Sequence, residues 1–432
     1  MSTRANQTLQ ELESYFQRDS RFKVEKFIGA GNHAGTYRVS YTEPGTQKKQ
    51  NFIVKRAFDG EDDALQLAKE RHYLNELRSN IHIVDMVNFP NNPLRTSPQK
   101  AGGTMEPPGA PTKNPPRTPT RHPPKTPTRD PLRTPINHPI RKPTKHPPRT
   151  PTLNPPGFNN DDGDDGIWNH VICLEWLDNG TLRSFILKAK RRSEPLPNRL
   201  LWRFLGCLLR AAIGLAWPVT PELGGTPQPE TPRSSSSPRK PARKPTLLTH
   251  NDLHDGNIML GEELPDIEHG ITPILKWIDF GLAGEFAGDG RDPLYGVKGN
   301  LYDVGQIMCG IILRKLWDGK TLEEPVQVKE LGGAIIFTDA PIWPTFGQTD
   351  VVADNFDNDL RRVVSWIMAT NKNDRPSIDN AFEAVMEEIE LRDAKYYKGR
   401  AEEEDYNIRK LWRQLVLEPD IMPSNDVIML SS

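Results

Sequence analysis

The sequence predicts an α+β fold, with strands gathered toward its beginning and helices toward its end. Three observations predict it. Phe22 to Val39 alternates apolar and polar residues on either side of a glycine cluster, the pattern of two strands joined by a Gly-rich turn. Asn51–Phe58 and Trp168–Trp176 are short, apolar, β-branched or aromatic runs of strand length. By contrast, Pro197–Trp217 sets Leu201, Phe204, Leu205, Leu208, Ala212 and Leu215 along one helical stripe.

The elements between these are read the same way. Asp62–Leu77 carries Leu65, Leu67, Ala68, Tyr73, Leu74 and Leu77 at helical spacing with charges between them. Two further helices are predicted at Ala381–Leu391 and Glu402–Leu417. Residues 1–20 read as a polar extension, 21–395 as the folded domain and 396–432 as a charged tail.

Two stretches interrupt that domain, at 91–166 and 218–246. Between Asn91 and Phe158 lie 20 of the chain's 41 prolines, a density that excludes helix interior and central strand alike. The same segment has twelve Lys/Arg against two acids, and Val219 to Thr246 has five against two. With a net charge of −1, the rest of the chain must carry fourteen more negative charges than positive. An acidic folded part bearing basic inserts is the reading, with both inserts expected to be disordered. The first contains octapeptides, PPRTPTRH, PPKTPTRD, PLRTPINH, PIRKPTKH and PPRTPTLN from Pro115 onward. That period fits an extended, polyproline II-like arm, or a repeat expansion tolerated in a surface loop. Ser97, Thr118, Thr126 and Ser237 each begin an [S/T]-P-x-[K/R] run, so proline-directed kinases or docking proteins are the expected partners of the inserts.

Cys173, Cys207 and Cys309 sit in apolar contexts without metal-ligand spacing, which excludes a disulfide scaffold and fits a reduced compartment. Met1 to Arg21 lacks the apolar core of a signal peptide, and no apolar run has membrane-span length. The expectation is a cytoplasmic or nuclear monomer that binds neither membrane nor nucleic acid. The acidic run Asp161–Asp165 lacks the ligand spacing of a calcium loop and reads as solvated.

The chemistry is concentrated in two short runs. His-Asn-Asp-Leu-His-Asp-Gly-Asn spans His250 to Asn257, and Ile-Asp-Phe-Gly spans Ile278 to Gly281. They resemble the catalytic loop and the metal-binding loop of the protein kinases, H-R-D-L-x-x-x-N and D-F-G. The resemblance implies a two-lobed fold with a small β-rich N-lobe and a larger, mainly helical C-lobe. It also implies ATP and Mg²⁺ as cofactors and a protein hydroxyl, serine or threonine, as acceptor. Asp252 would orient that hydroxyl, Asn257 and Asp279 would ligate Mg²⁺, and His254 would assist at the γ-phosphate. Gly29 and Gly31 resemble the phosphate-covering glycine loop, with the third glycine one place late at Gly35. Lys55 resembles the phosphate-gripping lysine, with Glu70 as its ion-pair partner and Glu76 as the alternative. Glu175 and Leu177 stand where the family's hinge presents backbone groups to adenine, and Asp374–Ser377 resembles its closing Arg-Pro motif.

Departures from the pattern bear on the substrate. Asn251 stands in place of an arginine that grips a phosphorylated activation loop, and an amide cannot make that bidentate contact. His254 stands in place of a lysine, as in aminoglycoside-type kinases. Asn300 occupies a position often held by aspartate, and Asp292-Pro293-Leu294 is the nearest match to Ala-Pro-Glu. Two rival readings follow: a kinase-like scaffold without catalysis, and a small-molecule kinase.

Overall fold

The computed structural model describes residues 3–46, 48–87, 170–192, 196–219, 229–233, 242–285, 295–316, 323–328, 332–342 and 355–418. These belong to one unit assembled from the chain on either side of residues 95–165. The octapeptide array, the four [S/T]-P-x-[K/R] runs, the Asp161–Asp165 run and Asp292-Pro293-Leu294 lie outside the described residues.

The architecture is mixed α+β, with a small antiparallel sheet in the N-terminal part and helices later. Strands β1 (Phe22–Ala30), β2 (Ala34–Thr42), β3 (Lys49–Ala57) and β4 (Val171–Glu175) pair in that order. Strand alternation sends Phe52 and Val54 of β3 to one face and Ile53 and Lys55 to the other. The first face is covered by α1 (Thr3–Phe16), which corrects the expectation of a mere extension over residues 1–20. Ala5, Thr8, Leu12, Tyr15 and Phe16 of α1 are buried, Phe16 stacks on Phe22, and the Tyr37 hydroxyl donates to the Ala5 carbonyl at 2.9 Å. The second face meets α2 (Glu61–Glu76), whose buried residues Leu67, Glu70 and Leu74 recur at helical spacing. Asp63 begins the same buried stripe, so α2 carries two carboxylates inward, Asp63 near its start and Glu70 at its middle.

The later part is built around α4 (Asn198–Ala216), of which all 19 residues are buried. The sequence read a single apolar stripe there; the helix is instead enclosed on every side, by α5 (Tyr295–Leu313), α7 (Ile378–Leu391) and β7 (Pro273–Trp277). Its arginines are tied down: Arg210 Nε donates to Glu268 Oε2 at 2.9 Å, and Arg199 Nε to the Arg392 carbonyl at 3.1 Å. Helices α3 (Leu182–Arg191) and α6 (Asn358–Ile367), the ribbon β6 (Ile258–Glu263)–β7, the short pair β5 (Leu248–Thr249)–β8 (Gly284–Glu285) and the hairpin β9 (Glu324–Val328)–β10 (Ala334–Thr338) complete this part.

Two expectations need amending here. The helix expected at Glu402–Leu417 is present as α8 (Asp405–Leu417), but it is packed and not a free tail: its Ile408, Trp412 and Leu415 are buried, as is Glu403 just before it. The Glu403 carboxylate accepts from the backbone N–H of Asn198 at 2.7 Å and of Arg199 at 3.0 Å, satisfying the opening N–H groups of α4. The second Pro/Ser-rich stretch also enters the fold, for Glu230 is fully buried against His82. Among the described residues, no helix is long and apolar enough to cross a membrane.

Candidate active site

Three remote stretches converge on Lys55. Its ammonium lies 2.7 Å from Glu70 Oε2 and 2.7 Å from Asp279 Oδ1. Strand β3 aims the lysine off the sheet, α2 brings the glutamate, and the turn after β7 brings the aspartate. Burial works against the charge on Lys55, but Glu70 and Asp279 outweigh it and hold its pKa above the ordinary lysine value. For Asp279, burial also opposes ionisation and is overcome by Lys55, which leaves the carboxyl below its usual range. Glu70 goes the other way, pushed up by burial, with Lys55 opposing. Glu76 pairs with His72 on the surface of α2, which leaves Glu70 as the partner of Lys55.

The Asp279 turn is fixed from below. Asp279 adopts a left-handed backbone, φ 63°, and Phe280 after it is completely buried. Gln66 of α2 donates to the Gly281 carbonyl, so α2 is fastened to this turn as well as to Lys55. His250 packs against Phe280, ring centroids 4.8 Å apart and tilted by 50°, and donates from Nε2 to the Ile278 carbonyl at 2.9 Å. Its burial depresses its pKa, in keeping with a neutral ring that packs two loops together. Asn300 completes the brace: its Oδ1 accepts from the His250 N–H at 3.2 Å and its Nδ2 donates to the Leu248 carbonyl at 3.0 Å.

Within the loop, Asn257 Nδ2 donates to Asp252 Oδ2 at 3.0 Å and to the Asp252 carbonyl at 2.9 Å. The amide NH₂ is therefore spent on Asp252, and the amide oxygen remains as the donor this side chain can offer a cation. His254 Nδ1 accepts from the Gly256 N–H at 2.9 Å, which puts the proton of a neutral ring on Nε2, 3.9 Å from Asp252 Oδ1. Asp255 turns away to pair with Arg183 at 3.0 Å. Asn251 has φ 61°, and its Nδ2 donates to the Leu282 carbonyl at 3.1 Å. Asparagine is among the few side chains that tolerate this backbone, a local reason for its presence that sequence reading did not supply.

The glycine loop and the end of β4 with the connection after it complete the surroundings. Gly31 N–H donates to the Ala34 carbonyl at 3.0 Å, closing a tight β1–β2 turn. A side chain added at Gly29 or Gly31 would meet nothing within 4 Å, whereas one at Gly35 would strike the Tyr37 ring. Only Gly35 is thus demanded by the chain's own packing. The Glu175 N–H is spent on the Asp85 carbonyl at 3.0 Å and its carboxylate on Lys276 at 2.6 Å, so its backbone carbonyl is what it can offer a ligand. Leu177 is half-buried beside Gly261.

Farther down α5, burial pushes the Asp303 carboxyl up to about 7, with Arg375 opposing. A raised folded-state value means that the folded chain holds this proton while the unfolded chain releases it near pH 4. Stability from Asp303 should be complete below that pH and fall as pH rises toward 7. Asp303→Asn is expected to remove that slope and to stabilise the protein at pH 8 by about 2–4 kcal/mol. Urea melts of both proteins at pH 5 and pH 8 check it; an equal difference at both pH values would count against it.

One cluster was not legible in the sequence. His82, Cys207 and His269 are buried together, their ligand atoms all within 4.8 Å of one another. Cys207 is therefore not the plain apolar cysteine its context suggested. No signal in local spacing could have found it, since the three residues are separated by 125 and 62 positions.

No protein-family model matches this chain, and no curated protein matches it.

Proposed function

We propose that the chain is a Mg²⁺- and ATP-dependent phosphotransferase with a two-lobed, protein-kinase-like arrangement, acting on a serine or threonine hydroxyl of a protein. The observation that carries the reading is Lys55 held 2.7 Å from both Glu70 and Asp279. A lysine so paired stays charged and is aimed at one point, as a phosphate-gripping group must be.

The residues present fit the cofactor. Asn257 offers an amide oxygen and Asp279 a carboxylate whose side chain is 43% exposed, both hard oxygen donors of the kind Mg²⁺ takes. The open space beside Gly29 and Gly31 leaves room for phosphate to approach the backbone closely. Bound, Mg·ATP supplies the transferable phosphoryl group and neutralises charge that develops on it. Asp252, with one oxygen fixed by Asn257, orients the acceptor hydroxyl and accepts its proton on the other oxygen. His254 offers one N–H from Nε2 on the same side. The Glu175 carbonyl and the Leu177 backbone are assigned to adenine. The basic Pro-rich stretches are assigned to docking partners and proline-directed kinases in the cytoplasm or nucleus.

The test is Mg²⁺-dependent ATP turnover by the purified chain against protein and small-hydroxyl acceptors in parallel. Transfer to protein serine or threonine is expected. Transfer to small alcohols alone would favour the aminoglycoside-type reading, and no nucleotide binding or turnover would favour the scaffold.

A further inference from the structure

The His82–Cys207–His269 cluster is enclosed: the three residues are exposed by 0%, 1% and 1%. His82 comes from the turn after α2, Cys207 from the middle of α4, and His269 from the connection between β6 and β7. Each imidazole has its Nδ1 on a carboxylate, His82 on Glu230 at 2.6 Å and His269 on Asp266 at 2.9 Å. An ionised carboxylate only accepts, so both Nδ1 atoms carry protons. In neutral rings both Nε2 atoms are then bare lone pairs, yet they face each other at 3.0 Å. Two buried lone pairs at that distance repel unless a cation lies between them.

We propose that this cluster is a zinc site, with His82 Nε2, His269 Nε2 and Cys207 Sγ as ligands. The donor set of two imidazoles and one thiolate is one Zn²⁺ favours. Bond lengths of about 2.0–2.1 Å to nitrogen and about 2.3 Å to sulfur require neighbouring ligand atoms roughly 3.3–3.6 Å apart in a tetrahedron. The two nitrogens need open by only a few tenths of an ångström. Glu230 and Asp266 orient the rings as the outer partners of zinc-bound histidines commonly do. The fourth position falls to water or a small anion.

A proton is the competing cation. It would bridge the same three atoms that the metal would ligate. One proton is then shared among Sγ and the two Nε2 atoms, and it leaves to solvent when the metal enters.

The experiment titrates the full-length chain, stripped by chelator, with Co²⁺ and then Zn²⁺. One Co²⁺ per chain is expected, with a thiolate-to-cobalt charge-transfer band that one equivalent of Zn²⁺ removes. Cys207→Ser should lose the band, and Cys173→Ser with Cys309→Ser, which leaves Cys207 as the sole thiol, should keep it. Glu230→Gln should weaken zinc binding about 10- to 100-fold. X-ray absorption of the wild-type zinc form, which needs no variant to fold, should show one sulfur and at least two nitrogens. Absence of the band in wild type, its survival in Cys207→Ser, or a zinc shell without sulfur would overturn the site and leave the shared proton.

Discussion

Asp279→Asn is expected to lower Mg²⁺-dependent phosphate transfer by at least about 10³-fold, on the scale of losing a preorganised electrostatic contact at the reacting group. Asparagine is the right replacement because position 279 has φ 63°, a backbone that Asp and Asn tolerate and alanine does not. Asp279→Ala would mix lost charge with backbone strain. Asparagine removes the charge, keeps the shape, and leaves Lys55 its pair with Glu70. Side-chain exposure of 43% means no core contact is lost, so the thermal midpoint should move by only a few degrees. Kinetics with saturating Mg·ATP, alongside a melt, check both halves. Turnover at the wild-type level in a folded Asp279→Asn protein would refute the metal-ligand role and with it the proposed chemistry.

Ending the chain after residue 395 is expected to abolish cooperative folding. Ile408, Trp412 and Leu415 of α8 are 0%, 4% and 0% exposed, and Trp412 Nε1 donates to the Ile271 carbonyl at 3.1 Å. Burial of three large apolar side chains contributes about 1.5–3 kcal/mol each. Loss of the Glu403 carboxylate would strip the first N–H groups of α4 of their acceptor, at about 1 kcal/mol more. The sum, roughly 5–10 kcal/mol, is comparable with the whole stability of an ordinary domain, about 5–15 kcal/mol. Chemical denaturation of the truncated chain beside the full-length protein checks this. A full-length-like transition in the chain ending at 395 would show α8 to be an ornament.

The α+β order was legible because the periodicities are strong. Asn51–Phe58 corresponds to Lys49–Ala57, Asp62–Leu77 to Glu61–Glu76, and Pro197–Trp217 to Asn198–Ala216. The pairing of Lys55 with Glu70, and not Glu76, is the one that the resemblance to the protein kinases led us to expect. Less visible were features in which charge hides burial. Residues 1–20 look polar, yet α1 turns Leu12, Tyr15 and Phe16 onto the sheet. The single stripe read in α4 gave no sign that Arg199, Arg203 and Arg210 are buried with the rest of the helix. The residues 396–432 read as tail because Glu, Arg and Lys outnumber the few buried side chains that anchor α8. The histidine–cysteine cluster depends wholly on tertiary placement.

Glu230 changes how the second Pro/Ser-rich stretch should be regarded. It is a hidden peg: its two oxygens take the N–H and Nδ1 of His82, at 2.9 and 2.6 Å. A second fastening follows where the Arg243 N–H meets the Arg233 carbonyl at 2.7 Å. Composition presents one long spacer, but these attachments divide it into separate spans, each with fixed ends. Lengthening a span between fixed ends costs little, about 0.6 kcal/mol per doubling. Displacing the peg would instead strand a buried histidine. The five residues 229–233 therefore mark a boundary that insertions and cleavage sites should not cross.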